Sequence, residues 1–261
     1  MKIEAILTPA ELPALARRDL RDAACVVFDV LRATSAFVTA LRNGANAVIP
    51  AAEISEALAT RKKQPAVLLA GERDGVKIRA AQTGGTDFDL GNSPREFTPE
   101  MVRGRTIVST TTNGTRALRA CAGAQTVLAG SFLNLGATAE FIKKIQPARV
   151  LLLCAGTREN RADEDVLAAG ALCELLAVGS SRCDARTARR AVPTQISDSA
   201  EIARRAWVQA ESNLAATVRN SENARRLLAI PELRDDVAFC LQRDIFPLVA
   251  RMEADGAIRQ P

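Results

Sequence analysis

An aspartate and an arginine stand three residues apart after an apolar run, in the stretch Val26–Ser35, VVFDVLRATS. The run predicts a buried strand, so Asp29 and Arg32 are expected near its carboxyl end. A carboxylate there can ligate a hard cation or attack phosphorus, and the guanidinium can clamp an anion. Thr34 and Ser35 follow at a helix start, where the dipole favours negative charge. The alternative is an N-cap aspartate beside a surface arginine.

A second segment repeats the pattern of an acid beside a base. The sequence AGERDGVKI (70–78) follows another apolar run and contains Glu72 and Arg73, with Lys77 further on. Because a carboxylate and two cations follow the same predicted strand, we expect this segment to contribute to an anion site or a metal site.

A third segment offers hydroxyl and amide donors. In STTTNGTRA (109–117) a run of hydroxyl side chains precedes Asn113, Gly114 and Thr115. Glycine permits close backbone approach, and successive amides before a helix form an anion-binding nest. A turn without a ligand would have a similar sequence, so both interpretations stay open.

Three carboxylates cluster in the segment ADED (162–165), at a predicted helix start. Helix capping explains one or two of them. A third is tolerable on the surface but would also suit a divalent cation.

The chain contains no histidine, and its six cysteines are scattered without a C-x-x-C pair. Histidine-dependent phosphatases, Ser-His-Asp hydrolases and His-ligated zinc sites are therefore excluded. Scattered thiols in apolar surroundings indicate buried, reduced side chains. Any metal must be bound mainly by oxygen, which favours Mg²⁺, or Mn²⁺, over Zn²⁺ and Cu²⁺.

The overall composition is that of a globular protein. The 261 residues are 48% hydrophobic and carry a net charge of +5, with arginine far more common than lysine. Arginine suits carboxylate, phosphate and sulfonate recognition. Aromatic residues are only 3% and the charges of both signs are interleaved, so we expect no nucleic-acid partner. Neither a signal peptide nor a membrane-spanning run is recognised, which predicts a cytoplasmic protein without a membrane partner.

Strand-like runs alternate with helical patterns along the first two-thirds of the chain. Three comparable strand–loop–helix units begin with AACVVFDV, GRTIVSTTTNGT and ARVLLLCAGT, and further strands are predicted at 2–7, 47–49, 66–70 and 126–129. This alternation predicts an α/β fold with a layered α/β/α arrangement and a largely parallel or mixed sheet. Ligands gather at the carboxyl ends of such strands, so we expect the loops 29–35, 110–115 and 155–159 to converge.

The C-terminal third differs in pattern. Residues 199–230 are helical with one polar face, a second helix is predicted over 235–243, and the end predicts a strand, an Asp255-Gly256 turn and a return strand. We expect one compact domain over residues 1–261, with 180–193 as a junction if there are two lobes. The alanine-rich helices could pair with a second copy in a homo-oligomer or pack on the sheet.

Taken together, the motifs resemble those of the 2-phosphosulfolactate phosphatase family, the Mg²⁺-dependent hydrolases associated with coenzyme M biosynthesis. The matching pieces, in order along nearly the whole chain, are VVFDVLRATS, GERDGVKI, FDLGNSP, TTTNGTRAL, VLAGSFLN, LCAGT, EDVLAAGAL and DDVAFCLQRDIFPLV. The sequence departs from the family at Asp74, where glycine is common, in a longer segment 79–87, and in the loop RENRADED.

The resemblance implies hydrolysis of 2-phospho-3-sulfolactate to 3-sulfolactate and phosphate. The roles it implies are metal ligation by Asp29, Glu72, Asp165 and Glu164; catalysis by Asp29, Arg32 and Glu72; and anion binding by Arg32, Thr34, Ser35, Arg73, Lys77, Asn113, Gly114 and Thr115. Either a carboxylate accepts a proton from the attacking water or Asp29 forms a covalent phosphoaspartate, and the sequence leaves both open. A non-catalytic binder of small anionic metabolites on the same scaffold is the alternative function.

Overall fold

The described strands form one mixed sheet. A computed structural model describes residues 1–178 and 194–261, and its strands are β1 (Lys2–Ile6), β2 (Ala23–Phe28), β3 (Ala47–Pro50), β4 (Leu68–Arg73), β5 (Val76–Lys77), β6 (Thr106–Thr110), β7 (Thr126–Gly130), β8 (Arg149–Cys154), β9 (Gln195–Ile196), β10 (Ala250–Met252) and β11 (Ile258–Arg259). Over these residues the order is β5-β4-β6-β3-β11-β10-β7-β2-β8-β1-β9. The predicted α/β class is confirmed. The junction predicted at 180–193 falls outside the described residues, and the single domain stays a prediction.

Two parallel blocks of strands are joined by the C-terminal hairpin. β4, β6 and β3 are parallel neighbours in one block, and β7, β2, β8, β1 and β9 are parallel neighbours in the other. β10 and β11 pair with each other, and they pair antiparallel with β7 and β3 respectively. The predicted turn at Asp255-Gly256 is confirmed, with Gly256 at φ 80° and the Ala257 amide donating to Asp255 Oδ1.

The described helices are α1 (Leu12–Leu15), α2 (Ala33–Arg42), α3 (Ile54–Lys63), α4 (Ala80–Thr83), α5 (Pro99–Val102), α6 (Gly114–Ala120), α7 (Leu135–Ile145), α8 (Asp163–Val178), α9 (Asp198–Ala210), α10 (Leu214–Arg219), α11 (Glu222–Leu228) and α12 (Arg234–Cys240). Short 3₁₀ helices occupy Pro9–Glu11, Pro94–Glu96, Phe132–Asn134 and Glu211–Asn213. Among these described helices, none has the length and hydropathy to cross a bilayer.

Alternate residues of β2 pack into different apolar clusters. Val26 and Phe28 pack with α7, α8 and α9, whereas Cys25 and Val27 pack with α2 and α6. Since neighbouring side chains of a strand point to opposite faces, both faces of the sheet are covered by helices. This confirms the layered arrangement. The alanine-rich helices α2 and α8 pack within the chain, so a homo-oligomer stays a prediction.

The cysteines of the described residues are buried and free, as predicted. They are Cys25, Cys121, Cys154, Cys173 and Cys240, while Cys183 lies outside the described residues. A hydrogen bond between the thiols of Cys121 and Cys25, together with burial, raises the pKa of Cys121 well above its usual value. These thiols are therefore packing residues rather than nucleophiles.

The helical segment predicted over 199–230 is broken in the structure. It forms α9, a 3₁₀ turn, α10 and α11, and the last break comes just before Ser221, whose Oγ accepts a hydrogen bond from the Ala224 amide at 3.3 Å. Serine favours this N-cap geometry over a helix interior, because its hydroxyl competes for backbone partners. The break matters for function because it sets the direction of α11.

The contact between α8 and α9 depends on Gly170. A Cβ atom added there would overlap the Ala203 carbonyl oxygen and lie 2.8 Å from Trp207 Cβ. We expect Gly170→Ala to lower the free energy of unfolding by about 2 kcal/mol, since the helices must separate despite the higher helix propensity of alanine. Chemical denaturation measures this, with Gly123→Ala as the control because no atom lies within 4 Å of its added Cβ. Equal stability of the two variants would contradict the close packing of α8 on α9.

Candidate active site

Loops that follow the carboxyl ends of parallel strands line one cleft. Together with residues of α11, they supply Asp29, Leu31, Arg32, Glu72, Asp74, Gly75, Asn92, Thr112, Asn113, Gly156, Thr157, Arg158, Asn223, Arg226 and Leu227. The cleft encloses about 480 Å³ when the space at its open mouth is included. Residues of the loops after β2, β6 and β8 do converge here, as expected from the parallel strands.

Asp29 lies directly after β2 and borders the cleft. Its Oδ1 accepts a hydrogen bond from the Ala33 amide at 3.2 Å, and among the described residues none donates to Oδ2. Gly114 packs so closely that an added Cβ would lie 2.5 Å from Oδ2. Burial raises the pKa of Asp29 to about 7, and the negative charges of Glu72 and Glu164 act in the same direction. A carboxylate whose pKa is raised by nearby negative charges is typical of a site that receives a cation or a proton.

Glu72 lies near the end of β4 and is held by backbone amides. Its Oε1 accepts from the amide and the hydroxyl of Thr112, at 2.8 and 2.9 Å, and its Oε2 accepts from the Gly75 amide at 2.7 Å. These contacts fix the carboxylate between the β4–β5 turn and the loop after β6. The like-charge effect of Glu72 on Asp29 places the two acids in one electrostatic cluster.

Arg32 borders the cleft but is already paired. Its Nη1 donates to Asp236 Oδ2 at 2.7 Å and its Nη2 to the Gly75 carbonyl at 2.6 Å. Ser93 Oγ donates to the second oxygen of Asp236, which is fully buried. The pair links the β2 loop to α12 and compensates the guanidinium charge.

Asp165 connects two loops beneath the cleft. Its Oδ1 accepts from the Val30 amide at 2.8 Å and its Oδ2 from the Gly156 amide at 2.9 Å. Burial raises the pKa of Asp165 well above its usual value, and the charges of Asp29 and Glu164 add to this. Asp165 thus belongs to the acidic cluster, although it is not part of the cleft lining.

Glu164 faces a neighbouring cavity that shares Thr157 and Asn223 with the cleft. Its Oε1 accepts from Asn223 Nδ2 at 2.7 Å, and its Oε2 is buried with no hydrogen-bond partner among the described residues. Burial raises the pKa of Glu164. Glu164 therefore acts on the cleft through Asn223 and through its charge.

Several predicted anion-binding residues use their polar groups internally. The Thr34 hydroxyl accepts from the Asp29 amide, Ser35 Oγ donates to the Val30 carbonyl, and Thr115 bonds twice to Thr111. These side chains are fully buried and outside the cleft lining. Thr34, Ser35 and Thr115 therefore shape the loops that hold Asp29 and Asn113.

The cations predicted after β4 also lie outside the cleft lining. Arg73 donates to the Glu72 carbonyl and to Thr110 Oγ1, and Lys77 Nζ donates to the Asp89 carbonyl at 2.5 Å. Gly114 is likewise not part of the lining and contributes through its close approach to Asp29. Of the predicted site residues, the cleft brings together Asp29, Arg32, Glu72 and Asn113.

Sequence signals are weaker for other residues of the cleft. Asn92 lies inside the FDLGNSP motif, but its residue type alone points to no particular role. Asn223 and Arg226 lie on α11, whose sequence SENARRLLAI resembles any amphipathic surface helix. The spatial position of α11 identifies them, and no sequence motif does.

The cleft mouth carries an ion pair between two loops. Arg158 Nη2 lies 3.4 Å from Asp74 Oδ1, and both side chains are mostly exposed. Both residues have positive φ angles, 54° for Arg158 and 52° for Asp74, a conformation rare for residues other than glycine. The pair joins the β4–β5 turn, which contains Asp74, to the loop after β8, which contains Arg158.

Comparison with known proteins gives one consistent family. The family model for 2-phosphosulpholactate phosphatase matches residues 7–255. The chain is 38% identical over 244 residues to a probable 2-phosphosulfolactate phosphatase of Caldanaerobacter subterraneus subsp. tengcongensis, covering 93% of this chain and 92% of the relative.

Two further relatives carry the same name. A probable 2-phosphosulfolactate phosphatase of Thermotoga petrophila is 39% identical over 224 residues, 86% of each chain. Another, of Synechococcus sp., is 36% identical over 254 residues, covering 96% of this chain and 93% of the relative. These matches agree with the motifs and with the fold. The chain belongs to the 2-phosphosulfolactate phosphatase family, a family of phosphoric monoester hydrolases.

Proposed function

We propose that the chain is a Mg²⁺-dependent phosphatase that converts 2-phospho-3-sulfolactate to 3-sulfolactate and phosphate. The observation that carries this proposal is the cleft itself, which combines the acidic pair Asp29 and Glu72 with arginine side chains at the ends of parallel strands. Such a substrate carries three anionic groups, so both a cation and fixed guanidinium groups are needed to offset their mutual repulsion.

The oxygen groups of the cleft fit a hard divalent cation. Asn92 and Asn113 each have a buried side-chain oxygen without a hydrogen-bond partner among the described residues, and Asp29 Oδ2 receives no donor there. The described residues contain no group of three or more acidic or thiol side chains arranged as a metal centre. Mg²⁺ commonly takes one or two carboxylates and completes its shell with water and substrate phosphate. We propose Asp29 and Glu72 as those carboxylates, with Asp165 and Glu164 supplying further negative charge.

When bound, Mg²⁺ would neutralise the phosphate oxygens and favour attack at phosphorus. The other catalytic roles are those of side chains and backbone groups at the cleft. Gly114 and the Ala33 amide hold Asp29 in one orientation. There it either accepts a proton from the water that attacks phosphorus or attacks phosphorus itself, and in both cases the P–O bond to the ester oxygen breaks and the hydroxy acid leaves. In the second case water then hydrolyses the phosphoaspartate to release phosphate. Arg32, fixed by Asp236 and by the Gly75 carbonyl, forms part of the cleft wall and holds the loop after β2 beside α12.

The acidic cluster predicts how stability varies with pH in metal-free solution. Between the usual pKa of 3.8 and about 7, folded Asp29 keeps a proton that the unfolded chain has lost. The folded state binds more protons across this window, so the free energy of unfolding falls as pH rises from about 4 to 7. Bound Mg²⁺ would take the place of the proton on Asp29. We therefore expect added Mg²⁺ to raise the Tm more at pH 8 than at pH 5. A concentration of about 5–10 mM suffices for a site with a millimolar Kd.

Thermal unfolding with and without Mg²⁺ measures both effects, and Asp29→Asn serves as the control because it cannot ionise. The variant should show a smaller loss of Tm between pH 5 and 8, and a smaller gain on adding Mg²⁺. A Mg²⁺ effect of equal size in Asp29→Asn would contradict the assignment of the cation to Asp29.

Release of inorganic phosphate tests the activity. We expect the chain with Mg²⁺ to hydrolyse 2-phospho-3-sulfolactate, and chelation by EDTA to stop the release. A non-catalytic binder of anionic metabolites, the alternative function, would bind the same ester and release no phosphate. Absence of phosphate release at saturating ester and Mg²⁺ would therefore reject the proposed activity.

We further propose that the protein works in the cytoplasm on a small-molecule ester and binds no nucleic acid. Its buried free thiols, including the hydrogen-bonded pair Cys25 and Cys121, support a reducing compartment. The charges support the second part, because many arginines are paired with nearby acids, as in Arg204 with Glu174 and Glu201. A gel-shift titration of DNA and RNA at low salt checks this point.

A further inference from the structure

Arg226, on α11, borders the cleft without a carboxylate partner. Its Nη2 donates to Asn223 Oδ1 at 2.7 Å, while its Nε is buried and has no hydrogen-bond partner among the described residues. No carboxylate oxygen of the described part of the chain lies within the 4.0 Å of a salt bridge. A half-buried guanidinium with an unpaired donor is costly unless an anion compensates it.

The other arginines of the cleft have their charge compensated. Arg32 is neutralised by buried Asp236, and both of its Nη atoms are engaged. Arg158 lies at the mouth, is mostly exposed, and faces Asp74. Among the arginines that line the cleft in the described structure, Arg226 is therefore the one whose charge and donors are available to a ligand.

The position of Arg226 is fixed by neighbouring groups. Asn223 Nδ2 donates both to Thr157 Oγ1 at 2.6 Å and to Glu164 Oε1 at 2.7 Å, so its oxygen is turned toward Arg226. On another side Gly75 lies near the guanidinium, since a Cβ atom added to it would be in van der Waals contact with Nε, at 3.5 Å. A long side chain held in this way loses little further entropy on binding an oxyanion.

We propose that Arg226 binds an anionic group of the phosphoester, and that Asn223 is its positioning residue. This rests on the proposed function for the identity of the ester. Phosphate, carboxylate and sulfonate all offer the paired oxygens that a guanidinium recognises. Arg226 thus acts as an oxyanion clamp. It lies on α11, which contains none of the sequence motifs.

The first experiment compares Arg226→Met with Arg225→Met. Arg225 is the preceding residue of α11, is exposed and donates to the Asn220 carbonyl; it lines the neighbouring cavity but not the cleft. We expect kcat/KM for 2-phospho-3-sulfolactate to fall by on the order of a hundredfold in Arg226→Met. Arg225→Met should stay within about twofold of the wild type, because an exposed side chain outside the cleft makes little difference.

A series of esters identifies the group that Arg226 binds. 2-Phospholactate lacks the sulfonate, and isopropyl phosphate lacks both sulfonate and carboxylate. If Arg226→Met lowers kcat/KM only for esters that carry a carboxylate or a sulfonate, Arg226 binds the non-reacting anion. If it lowers kcat/KM equally for all three esters, Arg226 binds the phosphoryl group. Equal kinetics of Arg226→Met and Arg225→Met on every ester would overturn the proposal.

Asn223→Ala tests the positioning role. We expect it to raise KM more than it lowers kcat, and to add little to the effect of Arg226→Met in the double variant, because both changes remove one interaction. Full additivity of the two changes would contradict a positioning role.

Calorimetric titration with phosphate and with 3-sulfolactate separates this proposal from the proposed activity. If the wild type binds either anion and Arg226→Met does not, the clamp stands even when no ester is hydrolysed. If both proteins bind equally, or the wild type binds neither anion, the clamp is rejected whatever the activity.

Discussion

Asp29→Asn is expected to lower Mg²⁺-dependent phosphate release by on the order of a thousandfold. Asparagine keeps the shape of the side chain and an oxygen that can accept from the Ala33 amide. It removes the negative charge that the proposed cation requires, and it also removes the proton acceptor or nucleophile. Initial rates with 2-phospho-3-sulfolactate over a range of Mg²⁺ concentrations measure the loss.

A second readout separates lost chemistry from lost folding. Burial and like charges raise the pKa of Asp29, so its ionised form is unfavourable in the metal-free protein. Asp29→Asn should therefore be at least as stable as the wild type at pH 8 without metal. Asp163→Asn, which removes an exposed carboxylate outside the cleft, is the matched control and should keep its activity. Turnover of Asp29→Asn at the wild-type rate would contradict its role.

Asp236→Ala is expected to lower the free energy of unfolding by about 3–5 kcal/mol, because it leaves a buried guanidinium without a counter-ion. Arg32 is only 3% exposed and donates to Asp236 at 2.7 Å. The same change should also remove activity, since Arg32 borders the cleft and would lose its fixed position. Urea denaturation and initial rates measure the two effects on one preparation.

The neighbouring Asp235→Ala is the matched control. Its side chain is 68% exposed and forms an exposed ion pair with Arg95 at 3.5 Å. The change should therefore lower the free energy of unfolding by less than about 1 kcal/mol. The double variant Arg32→Met/Asp236→Leu removes both charges, and we expect it to recover stability without recovering activity. If Asp236→Ala were as stable as Asp235→Ala, the buried pair would not stabilise the cleft.

Site residues could be predicted from the sequence where the geometry of a parallel sheet brings them together. Asp29, Glu72 and Asn113 follow or end parallel strands, and the carboxyl ends of such strands meet at one edge, so their convergence could be predicted. Arg73 could not face the cleft together with Glu72, because neighbouring side chains of β4 point to opposite faces. The hydroxyls of Thr34, Ser35 and Thr115 bond to backbone groups, an option that sequence cannot distinguish from ligand binding.

Contacts between residues far apart in the sequence could not be predicted from local sequence patterns. Asp236 is 204 residues from Arg32 and meets it only because α12 packs beside the β2 loop. Arg226 belongs to a helix whose direction follows from a break at Ser221, while the periodicity predicted a continuous helical segment. The C-terminal hairpin was predicted, but its place between two parallel blocks depends on pairing with strands more than a hundred residues away.

The central claim is that the cleft holds a divalent cation at Asp29 and Glu72, beside arginine side chains that bind the ester. Anomalous diffraction from a crystal soaked in Mn²⁺ and 3-sulfolactate tests it most directly. We predict a manganese peak within coordination distance of carboxylate oxygens of both Asp29 and Glu72, with the organic anion within hydrogen-bond distance of a cleft arginine. A manganese peak elsewhere, or an anion bound away from this cleft, would contradict the account.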